Sequence, residues 1–137
     1  MFLGARLVIY SLLVLSDPTQ GNMARNAAHF ARAVLAQGHE LHRVFFLDKG
    51  VLCGAASSVY PQDETEPLDD WAALAEEHGV DLVLCVTSAL RQGMLDEHEA
   101  TRHERGGPTI HPAFTISGLG QLIDAGAASD RVITFGG

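Results

Sequence analysis

The stretch VDLVLCVTSALRQG, residues 80–93, decides the fold class of this chain. Its first half is a continuous apolar run rather than an alternating one, which is typical of a strand covered on both faces of a parallel sheet. We therefore predict a strand over 81–87. The polar residues that follow predict a short helical turn capped by Ser88, because serine favours the first position of a helix.

The rest of the chain alternates between strand and helix patterns. Further strands are predicted over 6–14, 40–47 and Arg131–Phe135, with a short extended piece over 109–116. Helices are predicted over 23–37, 50–58, 68–78, 96–103 and 117–128. No internal repeat or linker interrupts this alternation. The pattern predicts one α/β domain over residues 1–137, a three-layer α/β/α fold with a mainly parallel sheet whose strand order stays open.

Composition and charge exclude several classes of function. The chain has 137 residues, 47% of them hydrophobic, and a formal net charge of -8. An acidic chain is poorly suited to direct nucleic-acid binding, which depends on basic side chains at phosphates. The apolar run over 7–15 is far shorter than the ~20 residues that cross a bilayer, and it has no cleavage signal behind it. We therefore expect a cytoplasmic protein that binds neither membrane nor nucleic acid directly.

The seven histidines and two cysteines do not form a recognisable metal site. His98 and His103 are five residues apart, so on a helix they would lie ~140° from each other around the axis. His39 and His42 fall where a strand begins, and side chains alternate between faces there. Neither cysteine has a partner at the spacing that zinc sites use. We expect no metal ion, and two cysteines are too few for a disulfide scaffold.

Cys85 is the candidate nucleophile, although its local pattern also fits a core residue. It lies in the carboxyl half of its strand, and ligand sites in parallel sheets form outside the carboxyl ends of strands. A helix start at Ser88 and Ala89, and the cation of Arg91, would favour a thiolate. Lowering the pKa from ~8.5 to ~7 takes about 2 kcal/mol. Buried cysteines, however, are commonly small apolar core residues. Cys53 fits that description, with a role as a resolving thiol left open.

The sequence as a whole resembles the DsrE/TusD family of small sulfur-relay proteins. The resemblance runs from about residue 6 to the end of the chain as segments in a fixed order. They are 36–40, 43–46, 71–79, 84–86, 91–97, 110–114, 117–122 and 130–136. Three features depart from the family pattern, namely the stretch LDKGV at 47–51, Cys53, which matches no family cysteine, and a few extra residues before the first strand.

The resemblance implies a function for Cys85, whose segment in the family carries sulfur as a persulfide. It also implies a single α/β/α domain and an assembly with two smaller homologous subunits, TusB-like and TusC-like, as a dimer of heterotrimers. The implied relay takes sulfur from a TusA-like donor, passes it to a TusE-like acceptor, and serves 2-thiouridine synthesis at the tRNA wobble position. No cofactor is implied, since each step is thiol exchange. Ser88, Ala89 and Arg91 are the candidate stabilisers of the sulfur anion, and His111 is expected to organise its own loop.

Three alternatives remain open from the sequence. The first is the DsrE branch, with the same chemistry in dissimilatory sulfur oxidation. The second is a non-catalytic interaction subunit, for which a retained cysteine is not required. The third is a redox sensor in which Cys85 and Cys53 form a reversible disulfide.

Overall fold

The structure is a computed structural model that describes residues 6–64 and 66–137. The first five residues of the predicted domain, and Thr65 in its acidic loop, lie outside the described residues. Within that part of the chain, five parallel strands form one sheet in the order β4-β3-β2-β1-β5. The strands are β1 Ile9–Val14, β2 Glu40–Phe46, β3 Asp81–Cys85, β4 Phe114–Ser117 and β5 Arg131–Phe135. The helices are α1 Met23–Ala36, α2 Pro67–His78, α3 Val86–Arg91, α4 Glu97–Arg102 and α5 Gly120–Ala128.

The strand order decides which helices lie on which face of the sheet. The chain steps from β1 to β2, β3 and β4 in one direction, and right-handed crossovers then place their helices on one face. The return from β4 to β5 runs the other way and carries α5 to the opposite face. Accordingly α1 contacts β1, β2 and β5 and α2 contacts β3, whereas α5 contacts β1, β2 and β5. The second face is therefore covered by a single nine-residue helix.

The main core lies between the sheet and helices α1 and α2. Trp71 of α2 meets Phe46 of β2 edge to face at 5.1 Å, and Phe46 meets Phe114 of β4 at 5.5 Å. All three rings are buried, and such pairs add stability beyond the area they bury. Alternate strand residues point to the other face, where Phe45, Val83 and Cys85 form a separate small cluster.

Three predicted boundaries are wrong, each for a local reason. β3 ends at Cys85 rather than at residue 87, because the chain turns into α3 there. The helix predicted over 50–58 is a 3-10 helix, Asp48–Gly54. Its Gly50 lies so close to β1 that a Cβ atom would overlap the Val14 carbonyl. Residues Phe114–Ser117 pair with β3, so α5 begins at Gly120 instead of residue 117.

Local contacts fix the ends of two helices and the conformation of one loop, the last as predicted. Asp96 caps α4, since its carboxylate accepts a hydrogen bond from the Glu99 backbone N–H at 2.8 Å. Gly79 ends α2 with a φ of 65°, a conformation that favours glycine. His111 organises its own loop, because its Nδ1 accepts from the Ala113 backbone N–H at 3.0 Å. Over the described residues, no helix combines the length and apolar character needed to cross a membrane.

Candidate active site

Cys85 is the last residue of β3 and the N-cap residue of α3. It is in register with Ser117 of β4, the neighbouring edge strand, at the carboxyl ends of both strands. This is the end of a parallel sheet at which ligands bind in such folds. The predicted location of Cys85 at this rim is therefore confirmed, while its predicted chemistry stays a prediction.

The Cys85 side chain faces α5 and is closely covered. It packs with Phe45 and Val83, and the cluster is closed by three half-buried leucines: Leu13, Leu47 and Leu122. Only 4% of the residue is exposed. A thiol that exchanges sulfur must be reached by another sulfur atom, so the described chain holds Cys85 in a protected state.

Ser88 does not cap a helix, and that prediction is wrong. The N-cap position belongs to Cys85, three residues earlier, because β3 ends sooner than predicted. Ser88 is buried inside α3, where its Oγ accepts a hydrogen bond from the Asp48 backbone N–H at 2.9 Å. Its side chain thereby joins α3 to the start of the 3-10 helix.

Ala89 and Arg91 are not brought beside the sulfur by α3 itself. Ala89 is buried in the main core, the cluster that lies on the other face from Cys85. With Cys85 as N-cap, helical geometry directs the Ala89 N–H to the Cys85 carbonyl. Arg91 is exposed in the last turn of α3, ~9 Å along the axis from Cys85. The proposed stabilising roles of these residues stay predictions.

Cys53 occupies a different environment from Cys85. It lies in the main core, on the opposite face of the sheet, and only 2% of it is exposed. Burial, reinforced by the charge of Asp17, raises the pKa of the Cys53 thiol to about 12, although the neighbouring Trp71 indole acts the other way. Both cysteines are free thiols. Cys53 is thus a core residue with almost no thiolate at neutral pH.

Sequence reasoning missed Arg43, which is in register with Asp81 at the amino end of β3 and contacts α5. It lies on β2, 11% exposed, and its guanidinium donates to the Asp81 carboxylate at 2.8 Å, the Asp124 carboxylate at 2.8 Å and the Gln121 carbonyl at 2.9 Å. Two of these acceptors belong to α5. Burial lowers the pKa of Arg43, but the hydrogen bonds to Asp81 and Asp124 outweigh it, so the pKa is raised. The signal in the sequence was a charged residue within the apolar strand ELHRVFFL.

Three further histidines have local partners of their own. His39 accepts a hydrogen bond from the Val8 backbone N–H, His42 lies 3.5 Å from Asp124, and His103 lies 3.2 Å from Glu99. Across residues 6–64 and 66–137, no cluster of three or more His, Cys, Asp or Glu side chains is arranged to hold a metal ion.

An open cavity of about 610 Å³ lies at the far end of α3 from Cys85. Leu90 and Leu95 line it on one side, and His103 and Arg105 line it on another. Cys85 is not among the lining residues, so the cavity is not the access route to the sulfur.

Comparison with known families places the chain in a defined class. Residues 9–135 match the model of the DsrE/DsrF-like family, and the chain belongs to that family. The crystal structure of the ychN protein from E. coli shares the fold, with a TM-score of 0.76 over 94% of this chain and all of that chain, at 19% identity. The predicted family and the α/β fold are thereby confirmed.

More similar relatives extend the match to nearly the whole length of both chains. DsrE of Allochromatium vinosum is 42% identical over 93% of this chain and 98% of its own. The sulfurtransferase TusD homolog of Pseudomonas aeruginosa is 42% identical over 91% and 95% of the two chains. Sulfurtransferase TusD of Serratia proteamaculans is 40% identical over 90% and 96%. These names support a sulfurtransferase role and agree with the predicted transferase class.

Proposed function

We propose that Cys85 accepts sulfane sulfur as a persulfide and passes it to the thiol of an acceptor protein. In the first step the Cys85 thiolate attacks the outer sulfur of a donor persulfide. A new S–S bond forms on Cys85, the S–S bond of the donor breaks, and the donor leaves as a thiolate. In the second step an acceptor thiolate takes the same sulfur and releases the Cys85 thiolate. No electrons enter or leave, so neither oxidant nor metal is required.

The observation that supports this proposal is the position of Cys85 at the carboxyl end of β3. Of the two thiols, it is the one that ends a strand of the sheet and lies in a small cluster rather than within the main core. Cys53 is a poor alternative, because its raised pKa leaves it protonated and it is enclosed within the main core. Cytoplasmic location is part of the proposal, since the relay needs free thiols.

We place this step in the relay for 2-thiouridine at the tRNA wobble position, with a TusA-like donor and a TusE-like acceptor. Relatives named TusD match over nearly their whole length, which favours this relay. The net charge of -8 fits a protein that exchanges sulfur with other proteins rather than with tRNA. A DsrE-type role in sulfur oxidation is the second candidate, since the relative named DsrE is equally similar at 42% identity.

The redox-sensor alternative is disfavoured by geometry. A disulfide needs Cα atoms about 4.4–6.8 Å apart and converging side chains. Cys53 and Cys85 belong to separate clusters on opposite faces of the sheet. An intramolecular disulfide would have to join side chains that belong to separate buried clusters.

The second face of the sheet supports the proposed assembly with TusB-like and TusC-like subunits. Leu119, the N-cap of α5, is 53% exposed, Ile123 of α5 is 74% exposed, and Val132 of β5 is 39% exposed. Exposed apolar groups clustered on one face are typical of subunit interfaces. We expect Ile123→Asp to abolish co-purification with the two subunits in size-exclusion chromatography. Val59→Asp, at a loop position 86% exposed, is the control expected to leave assembly intact.

The relay itself is tested by intact mass spectrometry after incubation with a loaded TusA-like donor. Wild type, Cys85→Ser and Cys53→Ser are compared. A reducible gain of ~32 Da, one sulfur atom, is expected in wild type and in Cys53→Ser and absent in Cys85→Ser. If Cys85→Ser gains the sulfur, or no variant gains it from a donor shown to be loaded, the proposal fails. Sulfur passing from loaded protein to a TusE-like acceptor, but not to a sulfite-reductase partner, would favour the tRNA relay.

A further inference from the structure

We propose that the first half of α5 is a gate over Cys85 and that Arg43 is the positioning residue that holds it closed. The significance of the gate rests on the proposed function, because a relay thiol has to be reached by donor and acceptor. In the described structure Cys85 is 4% exposed. Some element must therefore move before sulfur transfer, and the contacts of the site indicate which one.

The cover consists of Leu122 and the segment that leads to it. Leu122 packs on the cluster that contains Cys85. The chain leaves β4 at Ser117, the residue in register with Cys85, and enters α5 at Gly120. The connection into α5 therefore starts directly beside the sulfur-bearing residue, and a shift of this connection and of Leu122 would open the site from the solvent side.

The apolar packing of α5 is sparse, so the helix can be displaced at low cost. Of its nine residues only Ala125 is buried, whereas the apolar side chain of Ile123 points to solvent. Elements with little buried apolar contact open at low free-energy cost. Gly118 and Gly120 flank the start of the helix, and nothing lies within 4 Å of the position of a Cβ on either. The connection therefore has room to move.

Arg43 supplies the contact that keeps this weakly packed helix in place. Its Nη1 donates both to the Gln121 carbonyl, at 2.9 Å, and to the Asp124 carboxylate, at 2.8 Å, on either side of Leu122. Its Nε is fixed by Asp81 at 2.8 Å. Arg43 thus links β2 and β3 to the first half of α5, which carries Leu122.

The chain contains its own reference thiol for testing the gate. Cys85 is covered by α5, whereas Cys53 lies in the main core on the other face of the sheet. Local opening of α5 exposes Cys85 alone, while global unfolding exposes both. When a closed thiol reacts only from an open form, its alkylation rate follows the open population. The ratio of the two rates therefore separates gating from loss of stability.

The experiment measures iodoacetamide alkylation of the native isolated chain, with Cys53 and Cys85 quantified in separate peptides by mass spectrometry. The variants are Leu122→Ala, which removes the cover, and Arg43→Gln, which removes the charge-assisted contacts. Ile123→Ala is the matched control, because it truncates an exposed apolar residue of the same helix. We expect Cys85 to react about tenfold faster in both test variants, with Cys53 unchanged, and Ile123→Ala to behave as wild type.

Three results would overturn the gate. One is an unchanged Cys85 rate in Leu122→Ala and Arg43→Gln. Another is a parallel rise at both cysteines, which would mean global destabilisation. The third is a wild-type Cys85 that already reacts like a free thiol. None of these results depends on persulfide formation. The alkylation rates therefore test the gate, and the gain of sulfur separately tests the relay.

Discussion

Burial determines what the Cys53 thiol can do. The side chain lies in the main core beside Trp71, and its pKa is raised to about 12 from an ordinary value of 9.0. The folded state thus favours the neutral, protonated thiol. In the unfolded chain the same thiol ionises near its ordinary pKa, so folding and ionisation of Cys53 oppose each other at alkaline pH.

This opposition predicts a pH-dependent stability. The stabilising contribution of Cys53 is fully present below pH 9.0 and is lost as pH rises towards about 12. Within that window the free energy of unfolding should fall by ~1.4 kcal/mol per pH unit on account of this group. Urea unfolding of wild type and Cys53→Ala at several alkaline pH values measures it. The difference between the two proteins should shrink as pH rises, and a constant difference would contradict the prediction.

At this scale the sequence predicted the position of Cys85 but not its surroundings. Cys85 was identified at the end of an apolar run, and the structure places it there at the rim. The local pattern also suggested Ser88 as a cap, because serine is common at that position. The actual cap is Cys85, and Ser88 accepts from Asp48, forty residues away in the chain. A partner so distant leaves no local signal in the sequence. The same holds for Arg43 and its acceptors on α5.

Among the elements, the 3-10 helix Asp48–Gly54 depends on one close approach. Gly50 packs directly against the end of β1, where an added Cβ would overlap the Val14 carbonyl oxygen. The Leu47 backbone N–H donates to that same carbonyl at 3.0 Å. The contact fixes the chain between β2 and the loop before α2, and it explains why this segment is not the helix predicted over 50–58.

Substituting this glycine should be costly. We expect Gly50→Ala to lower the free energy of unfolding by about 3 kcal/mol, because the backbone of either segment must shift. Gly118→Ala is the matched control, since its Cβ meets nothing within 4 Å, and it should change stability by less than ~1 kcal/mol. Denaturant unfolding compares the two. Equal losses would show that the close approach is unimportant.

Element types were predicted better than element ends. The apolar strands and the helices α1 and α2 were evident from hydrophobic periodicity. The end of β3 and the start of α5 were predicted wrongly, because pairing between β3 and β4 sets both boundaries. Residue 117, predicted as the start of a helix, is the last residue of β4. Strand order could not be predicted, since it depends on contacts between distant segments.

For the molecule as a whole, charge limits the choice of partners. The formal net charge is -8, and the sequence predicts no direct contact with nucleic acid. We expect bulk tRNA to show no mobility shift with the isolated chain at low ionic strength, conditions that strengthen any phosphate contact. A shift that weakens as salt is added would contradict this and would require a local basic surface that contacts phosphates.

The position of β1 between β2 and β5 has a consequence for synthesis on the ribosome. β1 is made first, yet one of its two neighbours, Arg131–Phe135, is made more than a hundred residues later. Pairings between such distant segments form slowly, and domains complete folding only when every strand is available. Until Gly120–Phe135 emerges, a nascent chain displays an unpaired edge on β1 and a bare Cys85. Between translation of β3 and translation of α5 this thiol is therefore most exposed to oxidants and to premature partners. Slower elongation in that interval should increase both the oxidation of Cys85 and its premature binding to partners.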